Sequence, residues 1–101
     1  MTQIDAATLK QRLQNGEQLN LLDVREPIEF ATYNIGGLNI PVSKLKDNIN
    51  RISYNKMDEI IVICSAGIRS DNAQSILTGL GYQNVINLKG GLIALQKQNN
   101  R

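Results

Sequence analysis

The sequence predicts an α/β domain with a small, mostly parallel sheet of about five strands and helices on both faces. Three observations carry that expectation. Short apolar stretches alternate with segments of helical periodicity, the pattern of strand–helix–strand units. The strongest apolar stretch, Ile60-Ile61-Val62-Ile63, is continuous rather than alternating, as in a parallel strand covered on both sides. Gly, Pro, Asn and Asp punctuate the chain where helix caps and turns need them.

Taken in order, Ile4 belongs to a short first strand, and Asp5 suits the N-cap of a helix over Ala6–Asn15. Ala6, Leu9 and Leu13 form its apolar stripe and Gly16 stops it. Leu19 to Val24 reads as a second buried strand. Pro27 suits the first turn of a short helix to Thr32. Gly36-Gly37 marks a turn, and Leu38-Asn39-Ile40 a brief strand closed by Pro41. Ser43 is expected to cap a helix over Lys44–Arg51, with Leu45, Ile49 and Ile52 on one side. Glu59 to Ile63 is the central strand. Ala73, Ile76, Leu77 and Leu80 then fall at helical spacing, with Ser70 where an N-cap would be and Gly81 just past the end. Asn84 to Leu88 is a last strand, Gly90-Gly91 a turn, and Leu92 to Gln96 a closing helix. The polar tail, about residues 97–101, is expected to fray.

Composition narrows the function. The 101 residues suggest one domain, residues 1–101, and 42% hydrophobic content is enough for one core. Net charge is +2, and the nearest thing to a basic cluster, Lys44, Lys46, Arg51 and Lys56, lacks interleaved aromatics. It reads as a solvated face, so no nucleic-acid partner is expected. The longest strongly apolar run, Ile60 to Cys64, is too short for a bilayer span, so no membrane partner is expected. One cysteine excludes an intrachain disulfide and fits a reducing compartment, so a cytoplasmic location is expected. A monomer is also expected. The absence of histidine excludes Cys-His and Ser-His-Asp constellations and, with a single cysteine, argues against a zinc site. No metal or cofactor is expected.

The stretch that carries chemistry is Cys64-Ser65-Ala66-Gly67-Ile68-Arg69-Ser70. It joins the end of the central strand to the start of a helix. A loop wound onto a helix N-terminus turns successive N–H groups inward and makes an anion-binding hollow. A cysteine at its rim is biased to thiolate, and such settings bring its pKa from about 8.5 to roughly 3.5–7.5. Gly67 lets the backbone turn, and Arg69 offers a forked cationic donor for a substrate oxyanion. The bland readings are a core cysteine, an Arg69 salt bridge to a loop carboxylate, and Ser70 as a cap alone. In parallel sheets, ligands bind beyond the carboxyl ends of the strands. Asp23-Val24-Arg25 lies at a second such end, which brings Asp23, Arg25 and Glu26 near the loop. Asp23 and Arg25 are assigned to the scaffold, locking neighbouring loops, with Arg25 lending positive field as the functional alternative.

From Ile4 to Gln96 the chain resembles the single-domain rhodanese family of sulfurtransferases. The blocks that carry the resemblance are Leu21-Leu22-Asp23-Val24-Arg25-Glu26 with Glu29-Phe30, Asn34 to Pro41, Cys64 to Ser70, and Leu88-Lys89-Gly90-Gly91-Leu92. Departures are Asn34 where the family often has His, Gly36 where it often has Pro, and Leu92 and Leu95 where it often has Trp. The active-site loop is C-x4-R, one residue shorter than the C-x5-R of the related phosphatase pocket. The shorter loop suits one sulfur on Cys64 better than a phosphoryl group.

The resemblance implies ping-pong covalent catalysis. Cys64 takes the sulfane sulfur of a small anionic donor such as thiosulfate, or of a persulfide, which a protein partner can carry. The N–H groups of Ser65 to Ser70 hold the resulting persulfide, Arg69 orients an anionic donor, and cyanide or a thiol accepts the sulfur. The competing readings are a persulfide carrier with little intrinsic thiosulfate activity and, further off, a phosphatase or arsenate-reductase activity.

Overall fold

The computed structural model describes residues 2–99. Its sheet has five parallel strands: β1 (Gln3–Ile4), β2 (Leu21–Asp23), β3 (Leu38–Asn39), β4 (Glu59–Ile63) and β5 (Asn84–Leu88), in the order β1-β5-β4-β2-β3. The helices are α1 (Ala6–Gln14), α2 (Pro27–Thr32), α3 (Ile68–Gly79) and α4 (Gly91–Asn99). The α/β class and parallel sheet expected from sequence are therefore present. Among the described residues no helix is long and apolar enough to cross a membrane.

β4 is central because its continuous apolar run can face protein on both sides. The two-residue period of a strand sorts that run. Ile60, Val62 and Cys64 join Leu22, Leu77 and Val85 in one cluster, which includes α3 residues. Ile61 and Ile63 join Leu9, Leu21, Ile86 and Leu95 in the other, which includes α1 and α4 residues. Each fully buried aliphatic side chain contributes about 1.5–3 kcal/mol. Cys64 thus leaves the strand on the α3 side, beside the element that follows its own loop.

Local chemistry sets the helix ends. The Thr8 N–H donates to Asp5 Oδ1 at 2.7 Å, the cap expected of Asp5. α3 closes with the Gly81 N–H on the Thr78 carbonyl and the Tyr82 N–H on that of Leu77, a Schellman pattern. Three expectations are corrected. No α-helix forms over Lys44–Arg51; two 3-10 segments, Val42–Lys44 and Lys46–Arg51, stand there. The Asn48 side chain donates to the Lys44 carbonyl at 2.9 Å and takes the acceptor that an α-helix would give the Asn48 N–H. α3 begins at Ile68 with Gly67 as its N-cap, so Ser70 lies inside the helix. α4 runs past Gln96 to Asn99, and Lys10 Nζ donates to the Gln98 carbonyl at 2.9 Å. Of the tail expected to fray, Lys97, Gln98 and Asn99 are helical, and Asn100 and Arg101 lie outside the described residues.

At the carboxyl edge of the sheet Asp23 is in register with Ile63, so the chain beyond β2 emerges next to Cys64. A buried ion pair holds this edge. Arg25 Nη2 donates to Asp23 Oδ2 at 2.8 Å and to the Tyr33 carbonyl at 2.6 Å; the pair is 5% and 1% exposed. Asn39 Nδ2 donates to the carbonyls of Asp23 and Arg25. One cluster thereby fastens the ends of β2, α2 and β3. Removing one member leaves a buried charge uncompensated, so Asp23→Ala is expected to destabilise the domain by about 3 kcal/mol. Urea unfolding monitored by circular dichroism measures it, as a lower midpoint at unchanged slope.

Candidate active site

Cys64 follows β4 directly and is 1% exposed. Gly67 has φ 95° and ψ −4°, the left-handed conformation that glycine adopts without strain, and this turns the chain back to start α3. The turn brings donors onto one atom. The Gly67 N–H donates to Cys64 Sγ at 3.0 Å and the Ser70 N–H at 3.3 Å. Ser70 Oγ lies 3.2 Å from the same sulfur. An atom arriving at Sγ must come past the rim of this loop.

The cradle is clamped from outside. The Leu92 N–H donates to the Cys64 carbonyl at 2.9 Å and the Ile93 N–H to the Ser65 carbonyl at 3.0 Å. The first turn of α4 thus satisfies the carbonyls on the loop's far side and leaves its N–H groups for the sulfur. This approach needs Gly91, where a β-carbon would fall 2.5 Å from the Cys64 carbonyl oxygen. The turn assigned to Gly90-Gly91 is therefore also a contact surface for the active loop.

Burial pushes the Cys64 thiol up, but the Ser70 hydroxyl and the N–H groups of Ser70, Gly67 and Ala66 outweigh it, and its pKa lies below the ordinary thiol value. The Ser70 hydroxyl has one proton and two acceptors in reach, Cys64 Sγ and Asn87 Oδ1. Ser70 Oγ donates to Asn87 Oδ1 and lies against Cys64 Sγ, so one hydroxyl joins the two groups. Asn87, 4% exposed, also donates from Nδ2 to the Gly67 carbonyl at 3.3 Å.

Arg69 leaves the first turn of α3 and meets Glu29 of α2 as a fork. Nη1 donates to Glu29 Oε1 at 2.6 Å and Nη2 to Oε2 at 3.1 Å; Nη2 also donates to Ser65 Oγ at 3.2 Å. Arg69 holds the Glu29 carboxyl down to about 2, helped by the Glu26 N–H on Oε1 at 3.0 Å. A cleft of about 340 Å³ adjoins the loop at Ser65, between α2 and α4, with Arg25, Ile28, Tyr33, Leu92 and Ile93 in its walls.

Of the residues singled out from sequence, Gly67 and Ser70 bond the Cys64 sulfur, and the Ala66 N–H adds to the lowering of its pKa. The N–H groups of Ser65, Ile68 and Arg69 make no hydrogen bond with it. The Ile68 side chain is 78% exposed. Ser70 is not the cap of α3, because Gly67 starts the helix three residues earlier and aims the Ser70 N–H and hydroxyl at Cys64. Asp23 and Arg25 form a buried ion pair at the sheet's carboxyl edge, and Arg25 also reaches the cleft wall. Two contributors were missed. Asn87 carried a signal, a lone amide within Val85-Ile86-Asn87-Leu88, a strand otherwise apolar from Val85 on. Glu29 carried none beyond its place in a motif, since its pairing with Arg69 spans 40 positions.

Fold and site together define a class: an α/β domain with a cysteine at the carboxyl end of a parallel strand and a helix-starting loop wound round its sulfur. The chain belongs to the rhodanese-like domain family, whose profile matches residues 5–98. It is 34% identical over 95 residues to a sulfurtransferase of Allochromatium vinosum, covering 93% of this chain and 87% of that one. It is 38% identical over 79 residues to the thiosulfate sulfurtransferase PspE of Escherichia coli, covering 75% of each. It spans 48% of Bacillus subtilis YrkF, a candidate sulfur carrier by its name, at 35% identity over 91 residues and 89% of this chain. Among solved structures, the rhodanese-like domain of the Anabaena Alr3790 protein superposes with a TM-score of 0.84 at 31% identity, covering 97% of this chain and 75% of that one.

The lowered Cys64 pKa has two consequences. Ultraviolet thiolate absorbance of the native protein is expected to titrate below the midpoint of the urea-unfolded chain, and Ser70→Ala to move that midpoint up. Because the folded-state pKa is depressed, the linked stability is complete above the unfolded thiol pKa and fades as pH falls through the folded one.

Proposed function

We propose that this chain is a sulfurtransferase that moves a sulfane sulfur from a donor such as thiosulfate to a thiophilic acceptor, cyanide or a thiol, through a Cys64 persulfide. The observation that supports this reading most directly is the convergence of the Gly67 and Ser70 N–H groups on Cys64 Sγ. Such donors stabilise an anionic sulfur without a neighbouring cation.

The step balances without a general base. The Cys64 thiolate attacks the outer sulfur of thiosulfate, a Cys64 S–S bond forms, and the donor's S–S bond breaks with its electron pair leaving on sulfite. The Cys64 persulfide keeps one negative charge, which the loop donors receive. Cyanide then attacks the outer sulfur, thiocyanate leaves, and the thiolate is restored. No proton needs to move in either half, which suits a chain with no histidine.

A second reading, a persulfide carrier with little thiosulfate turnover, is favoured by Arg69. The guanidinium that would orient an anionic donor is already bound at both ends by Glu29. The named relatives include both kinds, a thiosulfate sulfurtransferase and a candidate sulfur carrier.

Intact-mass spectrometry after thiosulfate treatment tests the shared intermediate. A gain of one sulfur atom, reversed by cyanide and absent in Cys64→Ser, is expected. An unchanged mass with every sulfane donor tried overturns the proposal. Steady-state thiocyanate production then separates an enzyme from a carrier.

A further inference from the structure

We propose that Glu29 sets which donors the site accepts, because it cancels the charge of Arg69 and so withholds the cation that a dianionic donor needs. This rests on the sulfur-transfer reading above and goes beyond it by assigning a specificity residue.

Three of the five N–H donors of Arg69 are engaged, and its charge faces a carboxylate. Its two terminal nitrogens each donate to a separate Glu29 oxygen, and Nη2 donates again to Ser65 Oγ. Glu29 is itself fixed rather than swinging, because Oε1 also accepts the Glu26 N–H and pins the carboxylate to the start of α2. That carboxylate stays charged throughout the neutral range. The other cation on this face, Arg25, is likewise charge-paired, through Nε and Nη2 to the Asp23 carboxylate, and Nη2 also donates to the Tyr33 carbonyl. The remaining wall of the adjoining cleft is largely apolar, with Ile28 77% and Ile93 49% exposed. Every guanidinium lining or bordering this cleft among the described residues has a carboxylate partner. A doubly charged donor thus meets hydrogen-bond dipoles and paired charges. A donor with one charge and an organic group loses less by that arrangement.

The consequence is a charge rule. Removing the Glu29 charge adds one positive charge beside the loop, and the gain scales with the charge of the donor. Thiosulfate and methanethiosulfonate make a matched pair: both give up an outer sulfur to the Cys64 thiolate, one releasing sulfite and the other methanesulfinate, but they carry two charges and one. For Glu29→Gln, the second-order rate of Cys64 persulfide formation at low salt is expected to rise about tenfold with thiosulfate and about threefold with methanethiosulfonate. The thiosulfate gain should lie mainly in KM and shrink in high salt. Glu29→Asp should keep the native ratio of the two donors, and adding Arg69→Gln to Glu29→Gln should erase the gain.

An unchanged donor ratio in a folded Glu29→Gln protein, whether both rates rise or fall, makes Glu29 a plain brace and overturns the proposal. Should Glu29→Gln not fold, the native protein decides. A thiosulfate rate that varies less than about twofold between low and high salt supports a cancelled Arg69, and a steep fall overturns it. Absence of a Cys64 persulfide from both donors in the native protein is a different failure, that of the sulfur-transfer reading itself.

Discussion

The rest of the molecule depends on bringing two backbone N–H groups three residues apart, those of Gly67 and Ser70, onto one sulfur atom. A chain does not curl this tightly unaided. The left-handed residue at Gly67 closes the loop, and the first turn of α4 ties down the outward carbonyls of Cys64 and Ser65. Without that outer clamp those two carbonyls would lose their partners within the fold, and the loop the contact that holds its far side. The close approach at Gly91 is therefore as much a part of the cradle as the loop residues themselves.

The fold serves this constraint by placing the loop at the centre of the sheet's carboxyl edge. β4 is flanked on both sides, its end cannot fray, and Cys64 inherits the position of a core residue. On one flank, the Asp23–Arg25 pair and Asn39 fix the ends of β2, α2 and β3. On the other, Asn87 of β5 joins Ser70 to the Gly67 carbonyl. Asp23, Arg25, Ser70 and Asn87 are buried, and among the described residues no buried side-chain nitrogen or oxygen lacks a partner. Networks satisfied to that degree hold a site rigid.

Much of this was legible in the sequence because it rests on local signals. The period of β4, the cap of α1, the proline in the first turn of α2, the glycines at turns and the strand–loop–helix around Cys64 are all written within short windows. What escaped was written across the chain. The Lys44–Arg51 segment had the apolar spacing of an α-helix, but its backbone is non-helical at Asn48, whose side chain takes the Lys44 carbonyl. Ser70 looked like a cap because serine is a good one. Its role inside α3 depends on Gly67 having already turned the chain, and on Asn87 from another strand. Glu29 paired with Arg69 is a tertiary event that neither neighbourhood announces.

The charge accounting of the edge follows from those long-range pairs. Arg69, bonded to Ser65 of the loop, and Arg25, in the adjoining cleft wall, each face a carboxylate, so the edge holds positive residues without much positive field. Stabilisation of an anion at Cys64 then falls to oriented N–H groups and one hydroxyl, which act at contact distance and are little screened by salt. A site built this way discriminates by reach. It favours negative charge on the sulfur itself, and it does little for charge carried elsewhere on the incoming molecule. Under the sulfur-transfer reading proposed above, that division suits the thiol, because the charge to be stabilised would stay on sulfur before and after each transfer.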